Sequence, residues 1–303
     1  MNRRGLLFSG AALMAMPLKA FAHTAFARSV LLSHPDGRST RVRIIAPTPQ
    51  ANPLPVVLFS HGANSTADLY DAMLKPVADA GSVVMAVDHL DAGGPADPDR
   101  IPAQGLFNSR VADLSLPLQH TAAIENACAE LGVRPDWQRV CAMGHSFGAV
   151  VAMSLAGATV VQSVNQPATA TPHPAVSAVI TVSPPAPREG LVPLNAWETV
   201  QLPALTVTGT QDILPGFIDD WRQHIAGYET GSGGDRWQVI GQGVDHYFGG
   251  LICRLSEGHK AEAQRPALFE TNAVLIDFLR QWSEGKRPRP TSARYRHLSL
   301  DMV

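Results

Sequence analysis

The 303-residue chain has only three cysteines, and no two of them form a C-x-x-C pair. Three thiols cannot all pair within one chain, and without an H-E-x-x-H the usual spacings of a zinc site are missing too. Cys128 falls in a helical pattern and Cys141 in a strand run, where a small buried hydrophobe is the plain reading; with Cys253, one disulfide is the most they can form. Charge is scarce and balanced: 17% of residues are Asp, Glu, Lys or Arg, and the net charge is −2. That balance gives no basic surface for nucleic acid and no charged face for a membrane. The apolar run from Leu6 to Pro17 is too short to span a bilayer. Internal repeats and a domain linker are also missing. What remains, 45% apolar residues, is enough to bury a full core, and one domain over residues 23–303 is expected.

The N-terminus reads as a targeting segment over residues 1–22. Asn2-Arg3-Arg4-Gly5-Leu6-Leu7 is a charged start running straight into apolar residues, and Ala20-Phe21-Ala22 is an A-x-A-type cleavage site. The paired arginines before two leucines resemble a twin-arginine signal, which implies export to the periplasm or beyond. A second small-x-small triplet, Ala25-Phe26-Ala27, is an alternative cut site.

Short apolar runs alternate with amphipathic segments along the body, the pattern of a mostly parallel sheet flanked by helices. Val30 to Leu32 and Arg41 to Ile45, split by His34-Pro35-Asp36-Gly37, predict an opening hairpin. Further strands are expected at 55–60, 82–89, 139–143, 176–182, 204–208 and 237–240. Helices are expected at 66–80, 109–131, 147–158 and 260–283. The stretch from Leu90 to Asn108 is long for a strand-to-helix loop. Its Asp91, Asp97 and Asp99 are spaced as calcium ligands can be, but a solvated loop is the plainer reading. Residues 162–174 are too short and polar for a helical lid. The basic, Pro-rich tail from Lys286 reads as a surface extension.

Gly144-His145-Ser146-Phe147-Gly148 is the chain's only G-x-S-x-G. An apolar strand, Val140 to Met143, enters it and a small-residue helix leaves it, the strand–turn–helix setting of a nucleophile elbow. A serine hydroxyl needs a base, and in this arrangement an acid and then a histidine follow the serine in the chain. Asp212 comes just after the strand at 204–208, and His246 just after the strand at 237–240. His224 and His259 fall in helical stretches and His297 in the tail, so His246 is the expected base. Asp212 is the expected acid, with Asp219, Asp220 and Asp245 as alternatives. The oxyanion hole needs two N–H donors. Phe147, after the nucleophile, supplies one, and Ala63, in the His61-Gly62-Ala63-Asn64 loop, the other; His61 precedes the nucleophile and is expected to shape the loop.

Taken together, Phe59-Ser60-His61-Gly62, Tyr70, Val87-Asp88-His89, the elbow, Gly209-Thr210-Gln211-Asp212 and Asp245-His246-Tyr247-Phe248 resemble the α/β-hydrolase superfamily. The branch they resemble holds platelet-activating-factor acetylhydrolase-like and dienelactone-hydrolase-like serine esterases, near bacterial polyester hydrolases, and the likeness covers roughly residues 40–282. Dienelactone hydrolases proper use cysteine where Ser146 stands. Polyester hydrolases usually carry an aromatic residue where Ala63 stands and a methionine where Phe147 stands.

The resemblance implies a serine esterase without a large lid domain, with a Ser146–Asp212–His246 triad and a small-molecule ester as substrate. No cofactor, metal, nucleic acid or stable membrane insertion is expected. An open site suits short-chain or soluble esters. The alternatives are amide or lactone hydrolysis, or polyester cleavage, on the same residues, and, from another class, an exported binding protein without turnover.

Overall fold

The hairpin expected around residues 34–37 is the first feature of the computed structural model. β1 (Phe26–Ser33) pairs antiparallel with β2 (Ser39–Ala46), and Gly37 closes the turn at φ 84°. The structure describes residues 24–101, 105–161, 167–185, 187–188, 190–232, 235–286 and 295–302. The export segment expected over residues 1–22 lies outside them.

The remaining sheet strands are β3 (Leu54–Ser60), β4 (Val83–Val87), β5 (Pro135–His145), β8 (Val176–Val182), β9 (Ala204–Gln211), β10 (Arg236–Asp245) and β11 (Leu298–Met302). The short strands β6 (Thr159–Val160) and β7 (Thr169–Ala170) pair separately. The nine-stranded sheet runs β1-β2-β4-β3-β5-β8-β9-β10-β11. From β4 to β10 every pairing is parallel, and antiparallel strands close both edges. All seven residues of β3 are buried, as expected of a strand covered on both faces. Period-2 alternation sends Val56 and Leu58 into one core layer, Val57 and Phe59 into the other.

Helices α2 (Gly105–Gln119), α3 (Thr121–Glu130) and α4 (Phe147–Leu155) cover the first layer, with Leu114, Ile124 and Val150 buried there. Helices α1 (Asp71–Asp79) and α6 (His259–Ser283) cover the second through Met73, Leu74, Val77, Leu275 and Phe278. Each such side chain contributes roughly 1.5–3 kcal/mol of burial. The short α5 (Ala226–Thr230) precedes β10. Among the described residues there is no lid domain, and no helix is long and apolar enough to cross a membrane.

Three expectations change. The helix expected at 109–131 is two, because the chain leaves helical geometry at His120 (φ −117°, ψ 41°). Pro117, inside α2, has no N–H to give the Asp113 carbonyl and so weakens the turn just before this break. The helix expected at 66–80 begins as a tighter 3-10 turn, Ala67–Tyr70, with the Ala67 N–H donated to Asp88 Oδ1 at 2.8 Å. The C-terminal tail is not only a surface extension: β11 pairs with β10 and covers what would be an exposed sheet edge.

One buried carboxylate ties the helical layer to the hairpin. Asp113, on α2 and fully buried, receives Arg38 Nη1, Thr40 Oγ1 (2.9 Å), His34 Nε2 (3.0 Å) and His89 Nδ1 (3.1 Å). Burial alone pushes its pKa up, but the bonds from His34, His89 and Arg38 outweigh it and hold the carboxyl far below the usual range. Such a group stabilises the fold above the unfolded carboxylate pKa of about 3.9, and that contribution fades as pH falls below it. Asp113→Asn is expected to cost about 3 kcal/mol in urea unfolding at neutral pH, with the gap from wild type shrinking on acidification. A loss under about 0.5 kcal/mol would show that the cluster contributes nothing beyond an ordinary surface pair.

Candidate active site

β5 ends at His145, and the chain reverses at Ser146 with φ 54° and ψ −122° before α4 begins at Phe147. A non-glycine residue there stores roughly 1–3 kcal/mol of backbone strain. The flanking glycines allow it: a Cβ on Gly144 would sit 2.1 Å from the Gly148 carbonyl oxygen, and one on Gly148 would sit 2.1 Å from that of Ser60. The Ser146 N–H donates to Val182 O at 2.9 Å, anchoring the turn to β8. Its hydroxyl has no hydrogen-bond partner among the described residues.

The residues expected as acid and base meet at the ends of β9 and β10. Asp212 is fully buried; its Oδ1 accepts from His246 Nδ1 at 2.7 Å and its Oδ2 from Thr208 Oγ1 at 2.8 Å. Burial would raise the Asp212 pKa, but bonds from His224 and His246 prevail and lower it far below the usual range. The carboxylate therefore stays charged at neutral pH and fixes the proton of His246 on Nδ1, leaving Nε2 as the basic nitrogen.

The alternative acids are occupied elsewhere. Asp245 accepts the N–H groups of Tyr247 (3.0 Å) and Gly249 (2.9 Å), Asp219 accepts that of Gly216, and Asp220 that of Arg222. His259 is exposed at the start of α6, and His297 pairs with Glu270.

A relay of hydrogen bonds joins His246 to the loop after β3. The Gly62 N–H donates to the Tyr70 hydroxyl (2.9 Å), which donates to His145 Nδ1 (2.8 Å), and His145 Nε2 donates to the His246 carbonyl (2.9 Å). Burial and the nearby His246 push the His145 pKa down to about 3, so it is neutral and donates in one direction only. The rings of His145 and His246 lie 4.8 Å apart between centroids, which brings His246 beside the elbow.

Ala63 is exposed at the tip of the loop. The Gly62 N–H goes to Tyr70, that of Asn64 to Asp91 Oδ2 (2.9 Å) and that of Ser65 to Gly62 O (3.3 Å). Among these four successive residues, only Ala63 keeps an N–H without a partner in the described structure. Phe147 is the first residue of α4, so its N–H has no carbonyl within the helix to bond. His61 is buried, donating from Nδ1 to Gly62 O and accepting the His89 N–H at Nε2, a loop-shaping role.

Other candidates fare differently. Asp91 is not a solvated loop residue: it is 2% exposed and paired with Arg110. Asp97 accepts the Asp99 N–H in a local turn. The three cysteines are buried and free. Asp212, His224 and His246 present ligand atoms within 4.8 Å of one another, a spacing an ion could use, but hydrogen bonds already engage the carboxylate. A groove of about 770 Å³ lies apart from all these groups, between residues 68–72 and 250–265. Its Asp68, Asp71 and Glu262 are ion-paired.

Sequence reasoning missed His224. It sits in a 3-10 turn, Trp221–Ile225, and is 1% exposed. Nδ1 faces Pro184 O at 2.6 Å, while Nε2 faces Asp212 O at 3.1 Å and Oδ1 at 3.0 Å. Acceptors opposite both nitrogens are satisfied only by the imidazolium. No local spacing announces this, since the partners are 12 and 40 residues away.

The family model described as Chlorophyllase matches residues 25–189, more than half of the chain. No curated protein matches. Among solved structures, a Mycobacterium tuberculosis puromycin-hydrolyzing peptidase aligns with TM-score 0.56 and 15% identity over 94% of this chain. Thermogutta terrifontis esterase 2, in a form phosphorylated by paraoxon, gives 0.57 and 16% over 87% of this chain and 96% of its own. A Pyrococcus horikoshii acylaminoacyl peptidase gives 0.54 and 14% over 80% of this chain. The chain spans less than half the length of the two peptidases, 43% and 44%. Likeness at this identity shows the fold, which is that of the α/β-hydrolases.

Burial opposes the charge on His224, but its bonds to Asp212 prevail and raise its pKa. A raised folded pKa means the stabilisation is complete below the unfolded value of about 6.5 and is lost as pH rises through the folded value. His224→Gln is therefore expected to lose about 2 kcal/mol in urea unfolding near pH 6. Its gap from wild type should narrow under alkaline conditions; a gap that widens there would contradict the imidazolium assignment.

Proposed function

This chain belongs to the chlorophyllase family of α/β-hydrolase-fold enzymes, and from that membership we propose that it cleaves carboxylic esters through an acyl-enzyme on Ser146. The observation that carries the reading is the pairing of Asp212 Oδ1 with His246 Nδ1 at 2.7 Å. It sits beside a serine held at positive φ between two glycines that cannot bear a Cβ.

In the proposed mechanism His246 Nε2 takes the proton from Ser146 Oγ as the hydroxyl attacks the ester carbonyl carbon. Ser146 Oγ has no hydrogen-bond partner among the described residues, and in this reading its bond to the base forms as substrate binds and excludes water. The carbonyl oxygen, now an oxyanion, is held by the N–H groups of Ala63 and Phe147. The tetrahedral adduct collapses, the alcohol leaves with the proton from His246, and the acyl group stays on Ser146. Water, deprotonated by the same imidazole, repeats the cycle and releases the acid. Asp212 holds the tautomer and balances the imidazolium charge at each step.

Ile213 and Phe217 are 42% and 43% exposed on the loop after Asp212, and in this reading they supply apolar contact to a short acyl group. With no lid domain among the described residues, this favours short-chain or soluble esters, the preference expected from sequence.

A series of nitrophenyl acetate, butyrate and decanoate esters, with matching anilides, tests the proposal. Turnover is expected for the esters, fastest for the shorter acyl groups. Ser146→Ala and His246→Ala are each expected to lose about 10⁴-fold or more in kcat. Faster turnover of the anilides would move the assignment to amide hydrolysis, and full activity in Ser146→Ala would end it.

A further inference from the structure

Arg110 is wholly buried beneath the site. It projects from α2, where nothing in the hydrolytic chemistry calls for a cation. Its Nε and Nη2 make a two-point bond to Asp91 at 3.0 and 2.8 Å. Its Nη1 donates to the His61 carbonyl at 2.8 Å, and Nη2 also reaches the Gly62 carbonyl at 3.2 Å. Arg110 Cζ lies over the Phe147 ring, 4.7 Å from its centroid. On the other limb, Asp91 Oδ2 accepts the Asn64 N–H at 2.9 Å.

Every one of these contacts bears on a residue that flanks or forms the oxyanion hole. The carbonyls of His61 and Gly62 are gripped just before Ala63, and the N–H of Asn64 just after it. Asn64 itself sits at φ 58°, a left-handed conformation that needs outside support. The one peptide N–H left unpaired between these grips is that of Ala63. The second donor, Phe147, carries the ring on which the same guanidinium rests. One buried cation thus touches both halves of the hole.

We propose that the Arg110–Asp91 pair is the positioning device of the oxyanion hole. It sets the distance between the Ala63 and Phe147 N–H groups without touching substrate. The proposal rests on the reading of those two N–H groups as the oxyanion donors. Arginine suits the task because its planar fork serves a carboxylate and two carbonyls at once, which the point charge of lysine does not. Burial keeps water from competing for the same acceptors. Burial tends to raise the Asp91 pKa, but the bonds from Arg110 lower it, so the pair stays charged through neutral pH.

A positioning role predicts a loss confined to the transition state. In Asp91→Asn and Arg110→Lys, kcat for a nitrophenyl ester is expected to fall about 100-fold, near the effect of deleting one donor, with KM within threefold of wild type. The inhibition constant for an alkyl boronic acid, whose adduct on Ser146 mimics the tetrahedral state, is expected to rise by a matching factor. A merely structural role would lower the unfolding midpoint without this split.

Asp91→Asn preserves shape and is the primary variant; Asp91→Glu, which keeps the charge, is expected to recover part of the loss and serves if the asparagine variant does not fold. A kcat within threefold of wild type in the folded Asp91 variants overturns the proposal, as does a fall in kcat with no change in boronate affinity. Ala63→Pro, which deletes the donor itself, separates the two levels. If it leaves kcat and boronate affinity intact, the donor assignment fails. If it abolishes both while the Asp91 and Arg110 variants are silent, only the positioning proposal fails.

Discussion

The site depends on how closely α4 approaches the carboxyl end of β3. Gly148 lies so near the Ser60 carbonyl that a single added carbon would stand 2.1 Å from its oxygen. This approach presses the elbow against the loop that carries Ala63, and it leaves Ser146 in a conformation that L-residues rarely adopt. Close packing holds the strain: Gly144 meets the turn of the same elbow, and the Ser146 N–H is tied to β8. A looser junction would let the serine relax into the helix and separate it from the neighbouring donors.

Around this junction the polar groups are arranged as two buried systems that meet at the loop after β3. One runs from Asp113 through His89 to Ser60, whose hydroxyl lies 2.7 Å from His89 Nε2. The Arg110–Asp91 pair adjoins it through His61. The other runs from Gly62 through Tyr70 and His145 to the His246 carbonyl, and thence to Asp212 and His224. Buried charge is costly unless fully paired, and here each carboxylate has several donors. In the proposed reading the cost is offset by fixed geometry at a site where close placement governs rate.

The fold was legible in the sequence because its signals are local. All-apolar runs such as Val56 to Phe59 read as covered strands, and the strand–turn–helix around Ser146 announced the elbow. Their order after strand ends points to Asp212 and His246, with Asp219, Asp220 and Asp245 left as alternative acids, and the structure brings the side chains of the first two together. What stayed hidden is long-range. Arg110 and Asp91 are 19 residues apart, on a helix and a loop whose meeting no periodicity encodes. His224 looked like a helical residue, and only the folded chain sets it against Asp212. The break at His120 comes three residues after Pro117, a breaker that the helical spacing on either side outweighed. β11 was masked by the basic, Pro-rich segment before it.

The central claim is that Ser146 is the nucleophile, and an organophosphorus probe tests it most directly, because stable phosphylation requires an activated hydroxyl. Wild-type protein treated with a fluorophosphonate, digested and analysed by mass spectrometry, is expected to carry one adduct, on the peptide containing Ser146. The adduct should be missing from the same protein with His246→Ala. Labelling at a different residue, or full esterase activity in protein that takes up no probe, would contradict the account.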